Sequence, residues 1–252
     1  MNDLVLEMLC NLHLDGTRQG PGSDADTRRA LALSGLEKGR DLQIADIGCG
    51  TGASTLVLAD ALDANITAID FVPQFLDKLD ALAAERGFDH KISTCIASMD
   101  ALPFENNTWD AIWSEGAIYN LGFEEGLGYW RQFLKPDGIL AVSEITWLTA
   151  DRPTELSEHW LSEYPGIGTA GEKLSVLENA GFTPLGYFPL QSGAWLDTYY
   201  RPLQRRFPAF LARYLHSDLA EELIRAEEHE ISLYERYQRH VSYGFYIAKR
   251  SD

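Results

Sequence analysis

Cysteine is scarce in this chain. Its three thiols, Cys10, Cys49 and Cys95, lie far apart with no paired spacing, so the pattern offers neither a disulfide framework nor a zinc site. No metal is expected, and a reducing cytoplasm is the expected compartment. Basic charge is short as well. Lys and Arg number 21 against 38 Asp and Glu, a formal net charge of −17, which weighs against a nucleic-acid partner because phosphate binding rests on basic patches. No uninterrupted apolar run reaches the roughly 18 residues a membrane helix needs, so no membrane partner is expected. The stretch Met1 to Cys10 carries Asp3 and Glu7 and lacks a basic n-region and a small-residue cleavage site, so it does not read as a signal peptide. Internal repeats and low-complexity tracts are missing too.

What is present can bury a full core. Of 252 residues, 45% are hydrophobic and 23% charged, at the upper end of single-domain size, and the expectation is one domain over 1–252. The pattern predicts a helix over Met1 to Leu14, a polar, glycine-rich segment from Asp15 to Gly22, and a helix capped by Ser23 that runs to about Leu33. Strands are predicted at Gln43 to Ile47, Asn65 to Ile69, Lys91 to Ile96, Trp109 to Ser114 and Gly138 to Ile145. Between them fall helices at Ala53 to Leu62, Phe75 to Arg86 and Glu124 to Leu134, with a turn at Lys135-Pro136-Asp137-Gly138. A helix at Glu172 to Ala180 and strands at Phe182 to Phe188 and His240 to Lys249 complete the frame. The interval 189–239 is too long for a hairpin loop and reads as a helical insertion, with helical patterns at Leu203 to Tyr214 and Leu219 to Tyr237.

Alternating strands and helices predict a doubly wound α/β sheet whose ligand lies at the carboxyl ends of the strands. The stretch Asp46-Ile47-Gly48-Cys49-Gly50-Thr51-Gly52 ends the first strand in three glycines at alternate positions, where main-chain N–H groups can approach a ligand at a helix N-terminus. Taken alone, the loop also satisfies a loose dinucleotide pattern. Asp46 favours a ligand that carries a cation over a pyrophosphate, Asp70 after the second strand suits ribose hydroxyls, and Asp100 after the third can accept an adenine amino group.

Together with Ser98-Met99-Asp100, Leu102-Pro103-Phe104 and Leu134-Lys135-Pro136-Asp137-Gly138, these stretches resemble the successive motifs of class I S-adenosylmethionine-dependent methyltransferases over roughly Leu42 to Ile145. Gln19 to Ser23 and Trp113 to Asn120 further resemble a bacterial subgroup of uncharacterised small-molecule methyltransferases. The resemblance implies a Rossmann-like, seven-stranded, mostly parallel sheet with its last strand antiparallel and S-adenosyl-L-methionine as cofactor. It implies that Gly48, Gly50 and Gly52 shape the methionine pocket, that Asp70 with Phe71 beside it holds the ribose end, and that Met99 and Asp100 contact adenine. Ser114, Glu115 and Gly116 would line the face nearest the methyl group. The family's amino-methylating tetrapeptide is absent at Ser114 to Ala117, which argues against adenine-N6 or glutamine methylation.

Gln19, in a Gly-Pro-Gly context, offers a second wall against the cofactor. Residues 1–33 are expected to form helical cover, and 189–239 a lid-like insertion if it lies over the carboxyl edge of the sheet rather than on its outside. Substrate-lining candidates are Tyr119, Trp147, Trp195, Tyr199 and Tyr200, although aromatics there serve equally as core. If the acceptor needs a base, Glu115, Glu144 and His159 are the titratable candidates, with Glu115 equally readable as a pocket residue and His159, beside Trp160, as a structural histidine. The acceptor is expected to be a small molecule, and a homodimer through the lid is left open. A module that only senses S-adenosylmethionine, a macromolecular methyltransferase and a nicotinamide oxidoreductase are the competing readings.

Overall fold

A computed structural model describes residues 3–39 and 41–252. Met1 and Asn2, the first residues of the expected N-terminal helix, lie outside the described residues, as does Arg40. In chain order the elements are α1 (Asp3–Leu14), α2 (Asp24–Ser34), β1 (Leu42–Ile47), α3 (Ala53–Ala61), β2 (Ala64–Asp70), α4 (Pro73–Arg86), β3 (Ile92–Ile96) and β4 (Trp109–Glu115). Then follow α5 (Phe123–Trp130), β5 (Leu134–Trp147), α6 (Thr154–Glu163), β6 (Gly168–Thr169), α7 (Ala170–Asn179) and β7 (Phe182–Pro189). An insertion with α8 (Ser192–Trp195), a π-helical turn (Leu196–Tyr200), α9 (Arg201–Gln204), α10 (Phe207–Arg213) and α11 (Asp218–Tyr237) leads into β8 (Val241–Arg250).

The strands order as β3-β2-β1-β4-β5-β8-β7, and the two-residue β6 pairs with the far end of β5. Pairing is parallel from β3 through β5. Only β8 runs the other way, antiparallel to both β5 and β7. The expected mostly parallel sheet with an antiparallel last strand is therefore the observed one, with β6 added.

Alternation along the strands divides the core into two layers. Ile44, Ala111, Trp113 and Ala141 face one side, under α2, α3, α4 and the insertion. Ala45, Ile47, Ile112 and Val142 face the other, under α5 and α7, which contribute Trp130 and Leu177. Local chemistry sets the helix ends. Ser23 accepts the Asp26 N–H as cap of α2, and Thr169 and Glu172 form a reciprocal capping box that starts α7 two residues earlier than expected. Gly35 and Gly87 close α2 and α4 in the left-handed conformation.

Three expected elements are redrawn. The helix expected over Glu124 to Leu134 stops at Trp130, a 3₁₀ turn covers Arg131–Phe133, and the fully buried Leu134 already belongs to β5. The expected turn at Lys135 to Gly138 is instead a bulge inside that strand. Pairing with β4 jumps from Trp109↔Leu134 to Ala111↔Ile139, and Asp137 takes up the extra length at φ 61. The single helix expected over Leu203 to Tyr214 is split into α9 and α10. Pro208 in the first turn of α10 has no N–H to continue a preceding helix.

Candidate active site

A cavity of about 520 Å³ opens at the carboxyl ends of β1, β2 and β4. One half is built by the glycine loop. Gly48, Gly50 and Gly52 have φ of 71, 56 and 86, a region that L side chains avoid. A Cβ on Gly48 would stand 2.5 Å from that of Ala117, so the loop can pass β4 only without a side chain there. The backbone N–H groups of Gly48 and Cys49 donate to the Ile69 carbonyl at 2.8 and 3.0 Å, which pins the loop to the end of β2.

Asp70 completes this half. Its two carboxylate oxygens accept the N–H of Gly50 and of Val72, both at 2.9 Å, and burial pushes its pKa upward while those N–H donors pull it back. Each oxygen keeps a further lone pair for a ligand hydroxyl. Gln19 brackets the loop from above. Its Oε1 accepts from the Thr51 N–H at 2.9 Å while its Nε2 donates to the His13 and Gly16 carbonyls. Phe71 and Met99 line the outer rim, and the Trp130 indole N–H holds the Met99 carbonyl at 3.0 Å.

Glu115 lines the floor and is fully engaged. Its Oε2 accepts from Arg18 at 2.9 Å, and its Oε1 accepts from the Thr27 hydroxyl at 2.7 Å and the Trp113 indole at 2.9 Å. Arg18 also donates to Asp24 and Thr27, so this network clamps the N-terminal segment onto the end of β4. Three donors already engage this carboxylate, so its geometry is that of a group that holds the floor in place.

The other half is closed by α1, α6 and the insertion. Tyr119, Trp160, Tyr164, Trp195, Tyr199 and Tyr243 supply aromatic walls, and Glu163, Glu227 and Glu230 reach the same space. Trp195 stacks on Tyr234 at 4.5 Å and donates its indole N–H to Ser242 at 3.0 Å. Arg18, Tyr164, Glu227, Glu230 and Tyr243 also line the cavity, and no motif in the sequence marks them as a group. A signal for Glu227 existed: it falls three residues after Ile224 and four before Ile231, inside the apolar stripe of α11.

Several expected residues are not at the cavity surface. Asp46 is fully buried behind the loop, where it accepts hydroxyl hydrogen bonds from Ser54 at 2.8 Å and Thr55 at 2.6 Å, and burial pushes its pKa up to about 7. It ties β1 to the start of α3 rather than facing a ligand. Gly52 caps α3, and a Cβ on it would collide with Leu79. Ser114 is buried and donates to the Ile47 carbonyl at 2.8 Å, while Asp100 is exposed to solvent outside the lining. Trp147 lies in the core with Arg152 over its ring at 4.6 Å. Tyr200 is a buried wall support that donates to Glu230 at 2.7 Å.

Neither remaining base candidate faces the cavity. His159 packs between Trp160 and His229, at ring separations of 5.2 and 5.5 Å. Glu144 is buried against Lys173 at 2.8 Å. The cavity thus gathers Gln19, Gly48, Gly50, Asp70, Phe71, Met99, Glu115, Tyr119, Trp195 and Tyr199 from the expected set. Among the described residues no cluster of His, Cys, Asp and Glu is arranged to hold a metal, and no helix is long and apolar enough to cross a membrane.

Comparison with known proteins agrees with this geometry. Residues 44–138 match the family described as a methyltransferase domain. The sterol 24-C-methyltransferase of Aspergillus fumigatus is 27% identical over 184 residues, 69% of this chain and 48% of that enzyme. The chain spans about half the length of the curated relatives it matches. Among solved structures, a methyltransferase from Geobacter sulfurreducens in complex with S-adenosyl-L-homocysteine superposes with a TM-score of 0.82 at 16% identity, covering 96% of this chain and 97% of that one. The [4+2]-cyclase SpnF superposes with a TM-score of 0.78 at 22% identity, covering 99% and 94%. Residues 44–138 thus match a methyltransferase domain, and the chain as a whole shares the fold of solved S-adenosylmethionine-dependent methyltransferases.

Proposed function

We propose that this chain transfers the methyl group of S-adenosyl-L-methionine to a small-molecule acceptor inside the cell. One observation carries the reading: a single cavity joins a glycine-loop half, fit for the cofactor, to an aromatic half with room for a second molecule. In the first half, Asp70 is placed to hold the ribose hydroxyls, Gly48 and Gly50 to admit the methionine end, and Phe71 and Met99 to cover adenine. The second half is enclosed by the N-terminal segment and the insertion, which together act as a lid. Enclosure suits a metabolite rather than a polymer, and the sterol methylated by the Aspergillus relative is a small molecule.

Methyl transfer is an in-line displacement in which the acceptor's lone pair takes the methyl carbon and the carbon–sulfur pair returns to sulfur. Sulfonium charge disappears in the step, so alignment in a dry pocket supplies most of the acceleration. The residues do this work by position. Glu115, held by Arg18, Thr27 and Trp113, fixes the floor between the two halves.

Calorimetry with S-adenosyl-L-homocysteine tests the first half. Asp70→Ala removes two hydroxyl contacts to a charged acceptor and is expected to weaken binding by about 10- to 100-fold. Unchanged affinity would sink the assignment of Asp70. Incubation with labelled S-adenosyl-L-methionine and a metabolite extract tests transfer: a labelled small molecule is expected, whereas cofactor binding without any product would favour the sensing module.

A further inference from the structure

The acceptor half of the cavity holds carboxylates without counter-ions. Glu227 and Glu230 lie one helical turn apart on α11, and Glu163 closes the same space from α6. Arg18 is the only Lys or Arg among the described lining residues, and it is spent on Glu115 and Asp24. His13 approaches Glu227 at 4.0 Å, but burial and the nearby Arg206 push its pKa down to about 4, so the ring is neutral at neutral pH. Arg206 itself gives its Nε–H to the Leu12 carbonyl. Burial first, and then the charge of Glu230, push the pKa of Glu227 up to about 7. Meanwhile the Nδ1 of His13 is buried with no hydrogen-bond partner among the described residues.

The walls around these carboxylates are π faces. Tyr199 stacks with His13 at 6.1 Å, and Tyr243 meets Trp195 edge-on at 4.9 Å, so the rings are braced in place. Among the described residues, one Glu230 oxygen accepts a hydrogen bond, from the Tyr200 hydroxyl at 2.7 Å. Paired carboxylates within an aromatic enclosure are the chemistry that receives an ammonium group, by charge-assisted hydrogen bonds and cation–π attraction together. An anionic acceptor would be repelled by whichever of these acids is ionised, whereas a protonated amine would favour the ionised form of both.

We infer that the methyl acceptor is a small molecule carrying a protonated amine, anchored by Glu227 and Glu230 between the rings of Tyr199 and Tyr243. The inference rests on the proposed function, because it assigns the second half of the cavity to an acceptor.

The test uses the whole protein saturated with S-adenosyl-L-homocysteine and titrates three probes of one size: benzylamine, benzyl alcohol and benzoate. Benzylamine is expected to bind at least tenfold more tightly than the other two. The double variant Glu227→Gln, Glu230→Gln is expected to lose at least tenfold of the benzylamine affinity while its affinity for S-adenosyl-L-homocysteine and its thermal unfolding hold. Glu163→Gln gives a second, independent reading at the same wall, with a smaller loss. Preference for the alcohol or the benzoate, no amine binding, or an amine affinity indifferent to the double variant would overturn the inference. If S-adenosyl-L-homocysteine itself fails to bind the native protein, the proposed function fails and the inference falls with it, a result separable from the others.

Discussion

Asp46 shows at the scale of one residue how a motif position and its physical role diverge. The carboxylate precedes the glycine loop, where the sequence suggests contact with a cationic ligand, yet it belongs to β1 itself. Period-two alternation puts it on the face opposite Ala45 and Ile47, with Ile44, under the start of α3. There two hydroxyls satisfy one oxygen, and the other has no partner. Its folded pKa of about 7 lies above the ordinary 3.8. A raised acid adds stability in full below the unfolded value and loses it as pH climbs through the folded one, so the loss runs from about pH 4 to past pH 7. At 1.36 kcal/mol per unit the ceiling on that loss is about 4 kcal/mol. Asp46→Asn removes the titration, so the variant's unfolding free energy relative to the native protein is expected to rise steadily between pH 4 and pH 8. Parallel stability curves would refute the buried, raised carboxylate. Asp70 was legible as a cavity residue because it is the last residue of its strand, at the end where the chain leaves the sheet. Asp100 follows a strand, yet the backbone there turns it out to solvent, which no local pattern announces.

Elements were legible where one period dominated and a special residue marked the end. Each of the seven expected strands is present, and β1, β4 and β7 show the clearest signal, short runs rich in apolar residues that a glycine or a proline bounds. The boundary at Leu134 was not legible, since a leucine fits the stripe of a preceding helix as well as the start of a strand. The bulge at Asp137 depends on pairing with Trp109 and Ala111, contacts remote in sequence. Gly52 offers a test of what the loop-to-helix junction requires. It caps α3 at φ 86, and an added Cβ would run into Leu79, which is fully buried and has nowhere to move. Gly52→Ala is therefore expected to cost about 2 to 3 kcal/mol, from left-handed strain and overpacking together. Gly128 is the internal control. It lies in α5 with open space around it, and Gly128→Ala is expected to leave stability unchanged or raise it by up to about 1 kcal/mol through helix propensity. Urea unfolding of the two variants measures the contrast, and equal effects would dismiss the packing argument at Gly52.

At the scale of the whole molecule, two segments nearly two hundred residues apart hold each other over the cavity. Gly22 donates its N–H to the Ala194 carbonyl at 3.1 Å and accepts from the Thr198 hydroxyl at 2.7 Å. Asn11 donates to the Tyr214 hydroxyl at 2.6 Å, and Arg206 to the Leu12 carbonyl at 3.0 Å. Sequence patterns identified both segments as helical cover, but their mutual grip is tertiary and left no local trace. Gln19 and Tyr199, one from each segment, both line the cavity, so a ligand held between them would favour the arrangement in which the two segments are joined. Hydrogen exchange is expected to slow in 9–22 and in 192–214 when S-adenosyl-L-homocysteine binds, while the amides of β1, β4 and β5, already deep in the sheet, keep their rates. Thr198→Val deletes one strap of the clasp without touching the cofactor half. It is expected to speed exchange in both segments together and to raise the dissociation rate of S-adenosyl-L-homocysteine severalfold. Opening of one segment without the other would show two independent flaps, and protection confined to 48–72 would show a cofactor site indifferent to the lid.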